Sequence, residues 1–353
     1  MPRRLHLAFP AAILAILVAA APALACGGLI GPNGAVNLLR TTTFVGYAQG
    51  IEHYVTAFKF EGGGGAFGSL TPLPGIPSSV EKGGDWTLQR LIRETEPVQT
   101  DLQFAREAAP AGSLAAQVIM QVKIDALDIT VLKGGADQVG TWAKEHGFRL
   151  PPDAPEVLDF YAKRSPIFLA AAFDADAAKA RGQAIGDGTS VHVTIPTPNP
   201  WVPLRILSLG KHATDAVQAD VYLLTGRKPA LLPAADGGDG LSLTYDASAS
   251  DSLLTDLRSD RGMEWVPTSA WLTKVTIDTT AIALAFDLAI DASGQGAPSR
   301  IQAGLELPPV TSVVTNPATA AALAFLFGLL GLGAIVGLRG AFGTTSRPTA
   351  AGA

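Results

Sequence analysis

The chain holds almost none of the residues that make covalent or metal sites. Its 353 residues include one cysteine, Cys26, and five histidines. An internal disulfide needs two cysteines, so the chain must fold without one. The four histidines beyond residue 25 are His53, His146, His192 and His212, and none stands in a His-x-His, His-Glu-x-x-His or Cys/His spacing. We therefore expect no metal site and no bound cofactor.

Sequence motifs of catalysis are missing as well. There is no Gly-x-Ser-x-Gly elbow, and Cys26 lies too close to the start of the chain to be a buried nucleophile. The run 63–68 has the spacing of a dinucleotide fingerprint, but a Pro-rich stretch follows where that site needs a helix. Asp236 and Asp239 lack the alternating ligands of a calcium loop. No catalytic or cofactor-binding residue is assigned, and we lean towards a protein that is not an enzyme.

Two histidines have a chemical interpretation in the sequence. His53 stands beside Glu52 on a predicted strand, where it could act as a general base. A half-exposed strand histidine without a catalytic role is the more common case. His146 falls in the last turn of a predicted helix, where a cation is favourable to the helix dipole, so capping is its expected role.

Basic residues do not dominate any part of the body. All 31 acidic residues lie between the two apolar ends, whereas Arg3, Arg4, Arg339 and Arg347 lie outside that region, which leaves the body a net charge of about −9. A body of this charge has no electrostatic footprint for nucleic acid, and an anionic lipid surface would not attract it. We expect no nucleic-acid partner.

One long stretch near the C-terminus lacks charge completely. Residues 318–338 read ATAAALAFLFGLLGLGAIVGL. As a helix at 1.5 Å per residue the stretch would measure about 31 Å, which matches the hydrocarbon thickness of a bilayer. It is predicted to be a transmembrane helix.

The N-terminus has the layout of a secretory signal. Residues 1–25 contain Arg3 and Arg4, an apolar run at 7–21, and a small-x-small site that ends at Ala25. Export at the front and a stop-transfer helix at the back place the body outside, and the basic tail stays in the cytoplasm under the positive-inside rule. The predicted organisation is a signal peptide at 1–25, an extracytoplasmic domain at 26–300, a tether at 301–317, the membrane helix at 318–338 and a cytoplasmic tail at 339–353.

Two features at the ends suggest association or modification. Cleavage after Ala25 would make Cys26 the first residue, either as a free thiol, as a lipid-modified residue or in a disulfide between two chains. Ala23 stands where a lipoprotein signal generally carries leucine, so ordinary cleavage with a free thiol is preferred. Gly333 and Gly337 match the spacing of closely packed membrane-helix pairs, although Gly-rich helices often show it by chance. A homodimer is therefore left open.

Hydrophobic periodicity predicts an α+β fold with an antiparallel or mixed sheet and a few flanking helices, in one domain or in two subdomains divided near residue 112 or 175–188. Strands are predicted at 40–60 as a pair, at 118–122, 128–132, 166–173, 190–196, 204–209 and 219–224, and at 271–277 and 280–290 as a hairpin. Helices are predicted at 86–96, 137–146 and from 153 to about 164.

The second and third of these helices carry end signals. Gly147 stands where a left-handed cap is wanted, and Val139, Trp142 and Ala143 share the apolar face before it. Asp153 precedes Glu156 at capping-box spacing, with a proline between them at a favoured early position.

Several segments together resemble a known family. They are Cys-Gly-Gly-Leu at 26–29, Leu-Pro-Gly-Ile-Pro at 73–77, TWAKEHGFRLP at 141–151, Tyr161, and Trp-Val-Pro-Leu-Arg-Ile at 201–206. The chain resembles the bacterial domain-of-unknown-function family numbered 2330, whose members look like exported proteins with a C-terminal membrane helix. The family usually opens with Cys-Gly-Gly-x-x-Cys, whereas Gly31 stands here in place of the second cysteine. The resemblance implies an architecture and no catalytic residues.

The sequence thus predicts a membrane-anchored extracytoplasmic protein that serves the cell envelope in binding or as a structural ectodomain. The alternative is an extracytoplasmic hydrolase whose carboxylates converge only in the fold. A deep pocket with converging carboxylates or a His–acid pair would favour the enzyme, and a shallow surface would favour binding.

Overall fold

The computed structural model of the chain describes residues 28–32, 34–35, 40–59, 67–96, 118–180 and 188–309. In this part of the chain the strands are β1 Gly28–Gly31, β2 Gly34–Ala35, β3 Thr41–Ala48, β4 Ile51–Lys59, β5 Phe67–Pro72, β6 Ser79–Lys82, β7 Val118–Ile124, β8 Leu127–Lys133, β9 Ile167–Phe173, β10 Gly188–Pro196, β11 Trp201–Val202, β12 Ala216–Thr225, β13 Ala230–Leu232, β14 Leu241–Ser248, β15 Trp271–Thr280 and β16 Leu288–Asp291. The helices are α1 Thr87–Thr95, α2 Ala136–Glu145, α3 Ala154–Ala162, α4 Ala175–Ala180 and α5 Asp251–Ser259, with a 3₁₀ helix at Arg205–Ser208.

The described strands form three sheets. Their orders are β2-β1-β5-β9-β8-β7, β14-β15-β12-β3-β4-β10-β6 and β11-β16-β13. Neighbouring strands are antiparallel except for β12 and β3, which run parallel. The α+β fold class with mixed sheets and few helices is therefore confirmed.

The seven-stranded sheet is buried on both faces at its centre. Tyr54 belongs to a cluster of buried residues that also contains Phe168 from the six-stranded sheet, so these two sheets share a core. The next residue, Val55, belongs to a second cluster with Leu91 of α1 and Leu257 of α5. Because side chains alternate along a strand, β4 contributes to both cores in turn.

The predicted strand pair at 40–60 is confirmed as the hairpin of β3 and β4. Ala48 pairs with Ile51, and the two residues between them, Gln49 and Gly50, have φ of 53° and 79°. Positive φ at both central residues is what a tight two-residue hairpin turn requires. The glycine meets this requirement without steric cost.

The helix predictions are confirmed in position, but one of the end signals is wrong. Helix α1 lies within the predicted 86–96. Helix α2 buries Val139, Trp142 and Ala143 on its inner face and ends before Gly147, which has φ of 76°. Helix α3 begins after Asp153 as expected. Its carboxylate makes no cap and instead accepts the backbone N–H of Gly210 at 2.9 and 3.1 Å.

The strand predicted at 204–209 is wrong, because this segment contains the 3₁₀ helix Arg205–Ser208. The backbone N–H groups of residues 204 to 206 donate to the side chains of Asp287 and Tyr161. Side chains thus bind the donors that a neighbouring strand would otherwise have paired.

The hairpin predicted at 271–290 is also wrong. Strand β15 pairs with β12 and β14, whereas β16 lies in the three-stranded sheet between β11 and β13. Between the two strands, the backbone N–H groups of Ala281 and Ile282 donate to the carbonyl oxygens of Asp215 and Ala213. These bonds lead the chain away from β15 before a return strand can form.

Strands on both sides of residue 112 occur in each of the two larger sheets, and strands on both sides of 175–188 occur in the seven-stranded sheet. The chain separates into two units, residues 1–307 and 308–353, and the described residues fall almost wholly in the first. Among the described residues no helix is long and apolar enough to cross a membrane. The predicted signal, Ala25, Cys26, the segment 318–338, Gly333 and Gly337 lie outside the described residues.

Candidate functional site

Strand β4 carries two adjacent ionisable residues on opposite faces of the seven-stranded sheet. Glu52 lies opposite Tyr47 of β3 and shares the face of Tyr54, whereas His53 lies opposite Gly46 and shares the face of Val55. Both side chains are buried, with 0% of Glu52 and 7% of His53 exposed. The sequence suggested His53, beside Glu52, as a possible general base, and the structure places the two side chains on opposite faces of the sheet.

The partner of His53 is another histidine. Its Nδ1 lies 3.0 Å from Nε2 of His192, which is 139 residues away in the chain. In the register of β4 and β10, His192 pairs with Val55, and His53 pairs with Thr194. The two histidines are therefore diagonal neighbours on one face, a distance that long side chains and rings can bridge.

The geometry of the pair is that of a hydrogen bond between ring edges. The ring planes differ by 28°, and the centroids are 5.2 Å apart, much farther than the two nitrogens. The rings thus meet edge to edge and not face to face. A metal ion held in line between them would need two nitrogen–metal bonds of about 2.0 Å, and the 3.0 Å gap is too short for that.

One proton closes this contact. If His53 Nδ1 carries the hydrogen, His192 Nε2 accepts, and if His192 Nε2 carries it, His53 accepts. In the described part of the chain the outer nitrogens, His53 Nε2 and His192 Nδ1, make no hydrogen bond, so the structure does not select one tautomer. The pair is chemically a shared-proton unit with two basic ends.

The segment 260–266 covers the pair. The Trp265 indole lies on the His53 ring with centroids 3.8 Å apart and planes within 4°. Gly46 makes room for that indole, since a Cβ at this position would lie 1.9 Å from Trp265 Cη2. Gly262, with φ of 71°, lies close to His192, since a Cβ built on this glycine would be 3.3 Å from His192 Nδ1.

Burial keeps both rings neutral at pH 7. It lowers the pKa of His53 from 6.5 to about 3, with a further contribution from the charge that His192 would carry. It lowers the pKa of His192 to about 4, against the opposing influence of the Glu264 carboxylate. Two neutral imidazoles can exchange a proton but cannot attract an anion by charge.

Glu52, on the other face, is also uncharged at neutral pH. Burial raises its pKa from 4.5 to about 8, opposed by one hydrogen bond from the backbone N–H of Trp201 to Oε2 at 3.2 Å. Its Oε1 is enclosed and has no hydrogen-bond partner. Glu52 is thus a buried carboxylic acid with one oxygen, Oε1, that makes no hydrogen bond.

A second buried carboxylate, Asp287, is fully bound. Its Oδ1 accepts from the Tyr161 hydroxyl at 2.9 Å and from the backbone N–H groups of Leu204 and Arg205 at 2.8 and 3.0 Å. Its Oδ2 accepts from Arg164 Nη2 at 2.5 Å, in an ion pair whose two side chains are 2% and 0% exposed. This cluster ties α3 and the 3₁₀ helix to the residue that precedes β16, and both oxygens of Asp287 are bound within the fold.

Asp260 performs a similar role at the start of α1. Its Oδ2 accepts from the backbone N–H of Trp86 at 3.1 Å and from the Thr87 hydroxyl at 2.7 Å, and its Oδ1 accepts from the backbone N–H of Asp85 at 3.0 Å. An acid at this position binds the unpaired donors of the first turn and favours the helix dipole.

The other candidate residues from the sequence make their hydrogen bonds to groups outside the histidine pair. His146 follows α2, where its Nδ1 must carry the hydrogen because it donates to the carbonyl oxygen of Trp142 at 2.8 Å. His212 is exposed and contacts Asp215 at 3.3 Å. Asp236 accepts the backbone N–H of Leu243 in a turn. Within the described ranges no group of three or more His, Cys, Asp or Glu side chains could hold a metal ion.

Sequence reasoning missed the proximity of His192 to His53. The only available signal was that each is a single histidine within a predicted strand, with Val191 and Val193 beside His192 and Tyr54 after His53 on the opposite face. Nothing in either segment specifies that β4 and β10 are neighbours, or in which register.

Comparison with known proteins identifies a family. A model of the family DUF2330, described as an uncharacterized protein conserved in bacteria, matches residues 20–289. The match covers most of the chain, and the protein belongs to this family. No curated protein matches it.

Distant likeness to solved structures involves baculovirus P35. A chain of the caspase-8/P35 complex has a TM-score of 0.37 and 9% identity over 71% of this chain and 95% of its own. A mutated P35 after caspase cleavage has a TM-score of 0.35 and 10% identity over 71% and 98%, and P35 itself has 0.32 and 9% over 74% and 91%. Scores this low transfer neither fold nor function.

Proposed function

We propose that this DUF2330 protein is a membrane-anchored extracytoplasmic protein whose body serves the cell envelope in binding or as a structural ectodomain. The proposal includes a signal peptide at 1–25, a body at 26–300, a tether at 301–317, a membrane helix at 318–338 and a cytoplasmic tail at 339–353. The uncharged 318–338 segment and the small-x-small site before Cys26 support this topology.

The observation that favours binding or structure over hydrolysis is the use of the buried aspartates. Asp287, which precedes β16, binds α3 and the 3₁₀ helix, and Asp260 joins the start of α1 to the segment after α5. Both carboxylates are saturated by donors from distant parts of the chain. A hydrolase with converging carboxylates needs two acids that face one substrate and have oxygens free to contact it. The oxygens of Asp287 and Asp260 instead accept hydrogen bonds that join separate parts of the fold.

The topology is tested on the full-length chain with a C-terminal tag, in spheroplasts exposed to protease. We expect the body to be digested and a tagged fragment that contains residues 339–353 to be protected. A matched control permeabilises the spheroplasts, after which the tag should also disappear. A body that survives in intact spheroplasts would contradict the proposed location.

The proposed role is tested with Asp260→Asn in the same full-length chain. After detergent extraction, the variant should have a lower thermal midpoint than the wild type. In intact cells, a cross-link between the body and an envelope component should weaken in parallel, because the variant loosens the attachment of the start of α1 to the segment after α5. A turnover of ester, amide or glycoside substrates that is lost in Asp260→Asn while the thermal midpoint stays unchanged would support the hydrolase instead.

A further inference from the structure

The histidine pair lacks the acid partner that normally fixes the charge of a buried histidine. Its two rings face each other through nitrogens 3.0 Å apart, beneath Trp265 and Gly262. We propose that His53 and His192 form an acid-operated latch, in which double protonation of the pair releases the segment 260–266 from the face of the seven-stranded sheet. The latch concerns the body itself and does not depend on the proposed location.

The closed state tolerates a first proton. When one ring becomes an imidazolium, its N–H still donates to the neutral nitrogen of the other ring, so the 3.0 Å contact persists. The Trp265 face on His53 also favours a cation at that ring. The pair therefore titrates in two steps that belong to the unit and not to either residue.

Carboxylates near the pair favour its protonation. Glu264 lies close enough to favour protonation of His192, and Glu81 of β6 is opposite His192 in the register, on the same face. Asp260 and Arg261 flank Gly262, and the Asp260 carboxylate is occupied by the start of α1. On α1 and α5, Arg90 is paired with Glu94 and Asp256.

The nearest positions on the strands themselves carry no charge. On the sheet face that holds His53, the neighbouring residues of β3, β4 and β10 are Phe44, Gly46, Val55, Ser190 and Thr194.

A second proton cannot be accommodated. Both facing nitrogens would then be donors with no acceptor between them, and two positive rings would lie 3.0 Å apart in a buried site. The rings must separate. His53 cannot move away while Trp265 lies on it, and Gly262 limits the movement of His192, so the covering segment has to leave.

The movement would reach α1 through Asp260. This residue begins the covering segment, and it binds the backbone N–H groups of Asp85 and Trp86 and the Thr87 hydroxyl. Displacement of 260–266 would therefore loosen the first turn of α1, which covers part of the same sheet face. Acid would expose this face without disturbing the core that the two larger sheets share.

The test is hydrogen–deuterium exchange of the detergent-purified full chain, measured at about pH 7 and at steps down to about pH 3, with each rate normalised to the unstructured peptide at that pH. Peptides that cover 260–266 and 84–90 should lose protection at least tenfold at the acid end, while peptides from β9 stay protected. Simultaneous loss in β9 would mean global unfolding and would overturn the latch.

His192→Gln supplies the matched variant, because its amide can still bond to His53 but cannot take a proton. We expect 260–266 to remain protected at acid pH in this variant and to open as in the wild type in His146→Gln, which alters a histidine outside the pair. Equal acid opening in His192→Gln and wild type would overturn the proposal. If His192→Gln does not fold, NMR titration of ¹⁵N-histidine in the wild type decides: two separated steps for the pair support the latch, and a single step at the ordinary histidine pKa contradicts it.

Discussion

The Asp287 cluster and the histidine pair are both buried and both join distant parts of the chain, but they differ in how many bonds each polar atom makes. Asp287 accepts four hydrogen bonds, and its charge is matched by Arg164. His53 and His192 share one bond and have no charged partner within bonding distance in the described part of the chain. A saturated cluster has one stable state, whereas a pair held by a single proton changes state when protons are added. Stability and responsiveness are thus assigned to different regions of one fold.

The largest expected effect is at the saturated cluster. Asp287→Ala removes all four acceptor bonds and leaves the Arg164 guanidinium buried without its counter-charge. Breaking a buried ion pair by removal of one partner costs roughly 3–5 kcal/mol, and the orphaned N–H groups add to this. We expect the free energy of unfolding, measured by urea titration of the full chain in detergent, to fall by about 5 kcal/mol or more.

Tyr161→Phe provides a graded control for this cluster, because it removes one donor to Asp287 and the acceptor of the Ile206 N–H but keeps the ring and the Arg164–Asp287 ion pair. It should cost about 1–3 kcal/mol. If Asp287→Ala cost no more than Tyr161→Phe, the cluster would not be the tie described here.

Glu52 should produce the next largest effect, as a dependence of stability on pH. Its folded pKa of about 8 lies above the ordinary 4.5, so between these values the unfolded chain loses a proton that the folded chain retains. The unfolded state binds fewer protons in this window, and stability therefore falls as the pH rises from about 4.5 to about 8. The pKa difference is about 3.5 units, so at about 1.4 kcal/mol per unit the total is about 5 kcal/mol.

Glu52→Gln should remove that decline, since the amide cannot ionise and can still accept the Trp201 N–H. Urea titrations at pH 5, 7 and 8.5 would show a flatter profile than the wild type. Glu81→Gln, at a more exposed position on β6, should leave the wild-type slope in place. Parallel slopes in Glu52→Gln and wild type would contradict the burial argument for Glu52.

The histidine pair has the opposite sign. Its folded pKa values of about 3 and 4 lie below the ordinary 6.5, so the unfolded chain binds more protons in that window. This contribution to stability is complete above pH 6.5 and is lost as the pH falls towards 3. Adjacent residues on β4 thus oppose each other between about pH 4.5 and 6.5, because burial disfavours the carboxylate of Glu52 and the imidazolium of His53.

Local sequence patterns were sufficient where the structure depends on local contacts. The β3–β4 hairpin follows from alternation and the Gln49–Gly50 turn, and the ends of α2 follow from its apolar face and Gly147. The patterns failed where a distant side chain intervenes. Residues 204–209 read as a strand, but Asp287 and Tyr161 bind their backbone donors, and Asp153 has capping-box spacing but binds Gly210 instead.

The candidate site depended on distant contacts throughout. His53 and His192 meet only because β4 and β10 pair in one register, and a shift of one residue would place His192 on the opposite face. Gly46 lies within β3 and accommodates the Trp265 ring, which comes from a distant part of the chain. No pattern within either segment contains these facts.

The smallest expected effect tests the cover of the histidine pair. Gly46→Ala places a methyl group where the Trp265 ring lies, at 1.9 Å from Cη2, so the indole has to shift off His53. Overpacking of this kind costs roughly 1–3 kcal/mol. The matched control is Gly226→Ala, where a Cβ would meet nothing within 4 Å. Since alanine restricts the unfolded chain more than glycine does, this control should be neutral or slightly stabilising. The two variants therefore differ in the sign of the expected change in free energy of unfolding, although the chemical substitution is the same.

Gly46→Ala should also raise the rate of hydrogen–deuterium exchange in 260–266 at neutral pH, because the indole can no longer hold this segment on the histidine pair. A Gly46→Ala chain as stable as Gly226→Ala, with 260–266 equally protected, would show that Trp265 does not hold the cover in place.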